Sequence, residues 1–490
     1  MDPLEPGAAS RELCNRPTRD SSREPEGRDA SEHGTGARER RPPDRAEGQP
    51  AGGGEHRSRE ERRGEHHPCG ERGGGRSHAG REREVAQLGG RVGQEQPRRD
   101  DQENHGHGRG QASERHPAEG SVRRIVTGTC SQSTVVDVSC VLHLHSTYSD
   151  GTATVEEIIA AAAAAGVDLV LLTDHDSLGA RRNGWEGRHG GVALLVGTEV
   201  SPKQGHYLAF GVDREIPHDG RSAVQIARAV RDAGGVGFAA HPFSDGGRML
   251  VPGLARRIVL PHGWPALDDP EGCDGIELWS LTTDAAEAWR TPAEAVRWLR
   301  DPERAIAPGP PPHHLRRWDE LSSRRRVPAI GGLDGHQPGF RVRGRVRSPL
   351  PHRRTFDLLR THLLCERALT GDVEDDWQTV LAALAAGAAW LTCPCVAPAH
   401  GARLWVEQPD GTVIPMGGEG PAVPSVLRVR LPRDGQLLVI RGGAPILEAQ
   451  SAGLDLPIDG PGAYRVEARI GGRLWLLSNP VHLRALSPRG

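Results

Sequence analysis

Seven short motifs between residues 143 and 336 carry side chains that bind metal ions. They are His143-Leu-His145, Ser149-Asp150-Gly151, Thr173-Asp174-His175-Asp176, Gly197-Thr-Glu199, Gly205-His206, His241-Pro242 and Gly332-Leu-Asp334-Gly-His336. Imidazole and carboxylate donors together suit zinc, manganese or iron, and a set this large can hold more than one ion. Ions held there would turn water into a hydroxide nucleophile at neutral pH and clamp the oxygens of a substrate. That is hydrolase chemistry. A lone HxH or GxE carries little weight; the ordered set carries the reading.

The elements that must position these residues follow from the apolar runs before them. Val135–Leu142 precedes the HxH pair, and two residues two apart on a strand point to one face. Thr154-Val-Glu-Glu157 is a capping box that opens a helix ending at Gly166. Val167–Leu172, Val192–Val196, Tyr207–Val212, Gly235–Ala239, Gly275–Trp279 and Val327–Gly331 have strand length, and Ser222–Ala233 reads as a helix. Strand and helix alternate, which predicts a parallel sheet or an α/β barrel. The C-terminal strand ends of such a barrel converge on one mouth, where the ligands would meet.

The order HxH, SDG, TDH, GxE, GH, HP, GLDxH resembles the PHP superfamily of polymerase-and-histidinol-phosphatase metallohydrolases, over about residues 138 to 392. The resemblance implies a distorted (β/α)7 barrel and roughly two to three divalent ions of Mn, Fe or Zn. It implies that His143, His145, Glu199 and Asp334 hold one ion. Glu199 would bridge to a second held by His206 and His241, and Asp150, His175 and His336 would hold the third. Glu199 would then be catalytic as the bridging carboxylate. Asp174 and Asp176 would fix ligand tautomers from one shell out. Lys203, between two ligands in the chain, would contact a substrate anion.

Phe356-Asp-Leu-Leu-Arg-Thr-His-Leu363, Leu369-Thr-Gly371, Gly462-Ala-Tyr464-Arg-Val and Trp475-Leu-Leu-Ser-Asn479-Pro480 look like the carbaryl-hydrolase (CehA/McbA) branch, which adds a C-terminal β domain. The favoured activity is a phosphoesterase acting on a small phosphorylated substrate or a nucleic-acid 5′ end, as a nucleotide phosphatase or a 5′–3′ DNA/RNA exonuclease. The alternative is hydrolysis of a carbamate or aryl ester. The arginines of Arg341–Arg347 would serve the first, and Trp264, Trp279 and Trp289 the second. A binding module with structural metals is a further class, which the intact ligand set disfavours.

The expected organisation is a disordered low-complexity region over 1–134, a barrel over 135–393 and a small all-β, sandwich-like domain over 394–490. An insertion at about 243–326 would cover the barrel mouth or form a structural excursion. The first aromatic residue is Tyr148, and the N-terminal region is Arg, Glu, Gly, Pro, Ser and His without apolar clusters. Such a segment buries too little to offset its ordering entropy. Lys203 is the single lysine, so coding bias toward Arg leaves open a genuine tail or upstream sequence read from an early start. A formal net charge of −3 gives no global pull toward nucleic acid or membrane. The eight cysteines show no CxxC pair, and no apolar run reaches membrane-spanning length. A cytoplasmic protein with reduced thiols is the expectation.

Overall fold

The computed structural model describes residues 135–252 and 254–485. The expected disorder of 1–134 lies outside them. The described chain is a mixed α/β fold.

Its first strands are β1 (Val136–Leu142), β2 (Leu169–Leu172), β3 (Gly187–His189) and β4 (Val192–Val196). The helix Val155–Ala165 connects β1 to β2; Thr154 and Glu157 cap it reciprocally, and Gly166 ends it at φ +66°. This crossover makes β1, β2 and β4 parallel neighbours. Next come β5 (Thr198–Val200), β6 (His206–Phe210) and β7 (Val236–Ala240), which run antiparallel to one another in turn. This departs from the expected all-parallel sheet. Residues 201–205 are too short a link for a crossover, so β6 must fold straight back on β5.

Residues 243–326 form the hairpin β8 (Gly247–Val251) and β9 (Leu254–Val259), then β10 (Gly275–Ser280) and helices that include Leu281–Ala288, Pro292–Arg300 and Pro312–Arg324. β10 pairs in parallel with β7 and with β11 (Ala329–Gly332). β12 (Phe340–Val342) and β13 (Arg345–Arg347) make an exposed hairpin, and β14 (Arg360–Cys365) lies antiparallel to β1. Hydrogen bonds from Leu333 N to Leu142 O (3.1 Å) and from His145 N to Gly335 O (3.0 Å) bring the end of β11 beside the end of β1. Glu199 N to Asp174 O (3.2 Å) joins β5 to the end of β2.

Alternate strand residues serve different cores. Cys140, Leu142, Leu169, Leu171, Leu195 and Phe238 pack together with Trp377 of the helix Val373–Ala386. Val141, Val170, Leu172, Leu194, Val196 and Ala239 pack outward against Ile158, Ile226 and Val230 of the flanking helices. Strands buried on both faces explain the nearly unbroken apolar runs.

β15 (Ala389–Thr392) pairs with β14. The remaining strands are β16 (Arg403–Glu407), β17 (Val413–Pro415), β18 (Glu419–Pro421), β19 (Ser425–Arg441), β20 (Ala444–Ile458), β21 (Gly462–Ile470), β22 (Arg473–Ser478) and β23 (Val481–Arg484). They are antiparallel except for β18 with β23. The two runs Val426–Leu431 and Gln436–Arg441 belong to the single long β19. Pro432-Arg-Asp-Gly435 makes a register shift there instead of a turn. β22 pairs with β15, so these strands continue the sheet that contains β14 and β1. Arg465 of β21 reaches Asp319 through Nε (2.7 Å) and a second guanidinium nitrogen (2.9 Å), tying the helix Pro312–Arg324 to this sheet. Among the described residues no helix is long and apolar enough to cross a membrane.

Asn479 fastens this junction. Its Oδ1 accepts from Ala329 N (2.7 Å), and its Nδ2 donates to Ala329 O (2.8 Å) and Ala389 O (2.9 Å). Asn479→Leu should lower the unfolding free energy by about 2 kcal/mol, because it strands the buried N–H and carbonyl of Ala329; the Ala389 carbonyl keeps its bond to the backbone N–H of residue 479 (3.3 Å). Urea denaturation checks this; an unchanged midpoint would mean that other contacts hold the junction.

Candidate metal centre

The ligand-type residues lie just past strand ends or at strand starts, and the backbone bends sharply to present them. β1 stops at Leu142, and His143 takes a left-handed φ of +60°. The HxH pair therefore leaves the strand before its imidazoles are placed, and strand alternation does not set their common direction. His241 (φ +29°) and Asp334 (φ +47°) are also left-handed. Non-glycine residues hold such conformations only where their surroundings over-determine them. A Cβ on Gly151 would strike the His145 carbonyl, and one on Gly332 would strike the Glu277 carboxylate. Both motif glycines are thus required by close approach.

All nine residues come together. Glu199 is fully buried. Its Oε2 lies 3.2 Å from His143 Nε2, His145 Nε2 and His175 Nδ1. Its Oε1 lies 2.9 Å from His206 Nδ1 and 3.2 Å from His241 Nε2. Asp334 Oδ1 approaches His143 Nε2 (3.5 Å) and His145 Nε2 (3.4 Å). Asp150 Oδ1 faces His336 Nε2 (3.2 Å) and His175 Nε2 (3.7 Å). Three overlapping groups have metal-compatible spacing: His143, His145, Glu199 and Asp334; His145, Asp150, His175 and His336; and His175, Glu199 and His206. The last uses His175 Nδ1, which Ser201 Oγ already engages at 2.7 Å, so the Asp150 group describes His175 better. His143 Nε2, both ring nitrogens of His145, Glu199 Oε2 and His241 Nδ1 are buried without a hydrogen-bond partner. Buried polar atoms rarely stay unpaired, and this donor set fits divalent cations.

The electrostatics agree. Burial pushes Glu199 up, yet the surrounding imidazoles, His143 first, hold its carboxyl well below the usual range. Burial likewise opposes His143, which Glu277, Glu199 and Asp334 raise well above an ordinary histidine. Burial pulls His175 down. His336 is pushed up to about 9: burial opposes this, and the hydrogen bond to Asp150 and the charge of Asp334 override it.

Several neighbours escape motif reading. Glu277, 1% exposed, accepts from His143 Nδ1 (2.8 Å) and from the backbone N–H of His241 (2.7 Å). A lone acid inside the apolar run Gly275–Trp279 was its one sequence signal. Ser201 Oγ donates to Glu199 O (2.9 Å), so it accepts the Nδ1 proton of His175. Thr283 Oγ1 bonds Asp334 Oδ2. His262, from the segment between β9 and β10, lies with its ring 4.2 Å from that of His206. Burial, with His206 and His241 nearby, lowers it to about 4. Nothing around Pro261-His262-Gly263 advertised it.

Other expected residues stand differently. Asp174 accepts from Ser146 N, Ser146 Oγ and Ser149 Oγ, each at 2.7 Å. It holds the loop leading to Asp150 rather than any histidine ring. Asp176 receives Ser201 N and pairs with His218. Lys203 is exposed in the turn between β5 and β6, without an ion pair among the described residues. Trp264 and Trp279 are core residues, the first stacked on Tyr207, so neither lines the mouth. Trp289 packs edge-on to Trp298. Arg341 is committed to Glu157.

Residues 142–240 match the PHP domain family. That segment carries six of the nine ligand-type residues, from His143 to His206, and supports placement in the PHP superfamily. A phosphoribosyl 1,2-cyclic phosphate 1,2-diphosphodiesterase from Eggerthella lenta is 36% identical over 83 residues, 16% of this chain and 32% of the relative. The chain thus spans about a third of the length of the curated relative it matches. A two-domain Bacteroides vulgatus protein containing a predicted PHP-like metal-dependent phosphoesterase is 14% identical, with 71% of this chain and 95% of that one covered at a TM-score of 0.33. The lesion-specific endonuclease EndoQ of Pyrococcus furiosus is 15% identical, with 55% and 62% covered and a TM-score of 0.30.

A proton on His336 competes with an ion held alongside Asp150 and His175. Asp150 is lowered to about 2 and stays ionised, so His336 sets the pH dependence. Affinity at this group should rise close to tenfold per pH unit from about pH 7 and level off near pH 9. Chelator competition at several pH values checks it; a flat profile would remove His336 from the ligand set.

Proposed function

We propose that the chain is a metal-dependent phosphoesterase on a distorted (β/α)7 barrel, acting on a small phosphorylated substrate or a nucleic-acid 5′ end. The observation that carries this is the convergence of five imidazoles on the buried Glu199 carboxylate, three at Oε2 and two at Oε1. His143, His145, Glu199 and Asp334 would hold one ion. Glu199 Oε1, His206 and His241 would hold a second, and Asp150, His175 and His336 a third. When bound, such ions lower the pKa of water and neutralise charge on phosphoryl oxygens.

The chain's own groups set the ligand tautomers. Glu277 accepts a hydrogen bond from Nδ1–H of His143, Ser201 Oγ from that of His175, and the Asp334 carbonyl from that of His336 (3.1 Å). In each ring Nε2 keeps its lone pair and faces a carboxylate of the site. Thr283 fixes the second Asp334 oxygen, leaving Oδ1 toward the histidines. Asp174 fixes the turn that carries Asp150.

The second reading is a carbamate or aryl-ester hydrolase of the CehA/McbA type, favoured by the motifs around Phe356 and Asn479. The burial of Trp264 and Trp279 removes the aromatic wall it called for. Turnover of nucleotides, 5′-phosphorylated oligonucleotides, aryl phosphodiesters and aryl carbamates, with and without chelator, separates the two. Chelator-sensitive phosphate release is expected; turnover of carbamates alone would overturn the phosphoesterase reading.

Glu199→Gln should be the more damaging of two isosteric changes at saturating metal, with bound metal and turnover falling together. Asp174→Asn should cost about 10–100-fold, as is usual for groups that position ligands. Kinetics beside metal counts decide it. A Glu199→Gln protein with full metal and near-normal turnover would end the bridging assignment.

A further inference from the structure

The hairpin β8–β9 leaves the metal centre from His241 and returns to it at His262. At its base Asp245, Gly246, Gly247, Arg248, Arg257 and Arg290 line a cavity of about 280 Å³. Arg248 and Arg257 are direct cross-strand partners, and both are exposed. Like charges placed opposite one another destabilise a hairpin. Arg290 joins them from the end of the helix Leu281–Ala288, held there because its carbonyl accepts from Leu250 N at 2.7 Å. None of the three forms an ion pair among the described residues. The nearest acid of the helix, Glu287, is occupied: its Oε1 accepts from Ser244 Oγ and from Gly246 N (3.0 Å). Asp245, exposed on the rim, lies beyond ion-pair distance of each guanidinium.

The hairpin therefore accepts the repulsion of three unneutralised guanidiniums around a space of its own. The hairpin register sets the Cα positions of two of them side by side, and a backbone bond brings the third beside them. Guanidinium forks match the paired oxygens of a phosphate, which a lysine could address only as a point charge. The cavity also adjoins the metal centre. Asp245 is four residues from His241, a reach of at most about 14 Å. On the other side, a Cβ on Gly246 would meet Pro261 N at 2.9 Å, so the cavity wall touches the residue that precedes His262.

We infer that this arginine-lined cavity is a phosphate-binding subsite that anchors a non-reacting phosphate of the substrate beside the metal centre. The inference rests on the phosphoesterase reading for its purpose, but not for its test. A substrate using both places carries more than one phosphate, either as a nucleotide with a second phosphate or along a single-stranded backbone. The exposed arginines would then measure the spacing between the held phosphate and the one cleaved.

Binding without turnover tests it on the full chain. The probes are inorganic phosphate, followed by calorimetry, and a fluorescent single-stranded oligonucleotide with cleavage-resistant phosphorothioate links, followed by anisotropy. Each is measured with and without EDTA, so that phosphate on the metal ions is told apart from phosphate in the cavity. Arg248→Ala, Arg257→Ala and Arg290→Ala combined should weaken EDTA-resistant binding at least about tenfold and reduce the oligonucleotide salt slope by about two. The corresponding triple Lys variant should keep the slope and lose part of the affinity, because it retains charge without the fork. Arginine-dependent binding of inorganic phosphate supports a free or terminal phosphate as the ligand; arginine-dependent binding of the oligonucleotide alone supports a backbone phosphate. If neither probe shows EDTA-resistant binding that the arginines control, the subsite does not exist. Absence of hydrolysis leaves this result untouched and bears only on the phosphoesterase reading.

Discussion

Glu199 is a carboxylate removed from water, with five imidazoles around its two oxygens. Burying an isolated charge is prohibitive, so positive charge must be supplied next to it. Protons on the imidazoles can supply that charge, and His143 and His241, which touch Glu199, are accordingly raised. Divalent cations do the same work with fewer compromises, since each ion can serve several donors while the rings stay neutral. Metal binding and folding are then linked: whatever holds the ions also removes repulsion from the middle of the molecule.

The backbone around the site shows how strongly its geometry is imposed. His143, His241 and Asp334 all occupy left-handed conformations, each at a place where a strand has just ended. Glu277 restrains two of them at once, through the ring of His143 and the amide of His241. Thr283 restrains the third. The hydrogen bonds that bring β11 to β1 run through the same residues, Gly335 N to His143 O at 3.0 Å among them. Sheet closure and ligand placement are therefore one set of interactions. A change that loosens the closure should loosen the ligands as well.

This also explains which parts were legible in the sequence. The runs ending at Leu142, Leu172 and Val196 are apolar on both faces because each strand feeds two cores, and that pattern is visible without coordinates. The ligand motifs are short, and their glycines are dictated by close backbone approach, so they too stand out. Strand direction did not. Only the shortness of residues 201–205 signals that β6 turns back on β5, and apolar periodicity is blind to it. Pro432–Gly435 does not end β19 because strands pair along both of its halves, and that pairing outweighs local turn chemistry. Asp174 was misread in its partners because a TDH motif says nothing about Ser146 and Ser149, nearly thirty residues earlier in the chain.

The least legible segment bears most on chemistry. Residues 243–326 read as a cover over the barrel mouth or a structural excursion, and they contain β10 with Glu277, Thr283 against Asp334, and His262 against His206. Its hairpin and the adjoining helix end add three guanidiniums that form no ion pair among the described residues, on the side where the chain leaves His241. The motifs outside this segment supply ligand-type residues, and metal ions alone do not distinguish one phosphate ester from another. Discrimination has to come from groups that touch the rest of the substrate. Under the proposed subsite such groups come mainly from the segment with no motif, because recognition by a few guanidiniums needs only convergence in space. Residues that converge from a hairpin, a helix end and a loop leave no fixed spacing in the sequence to be read.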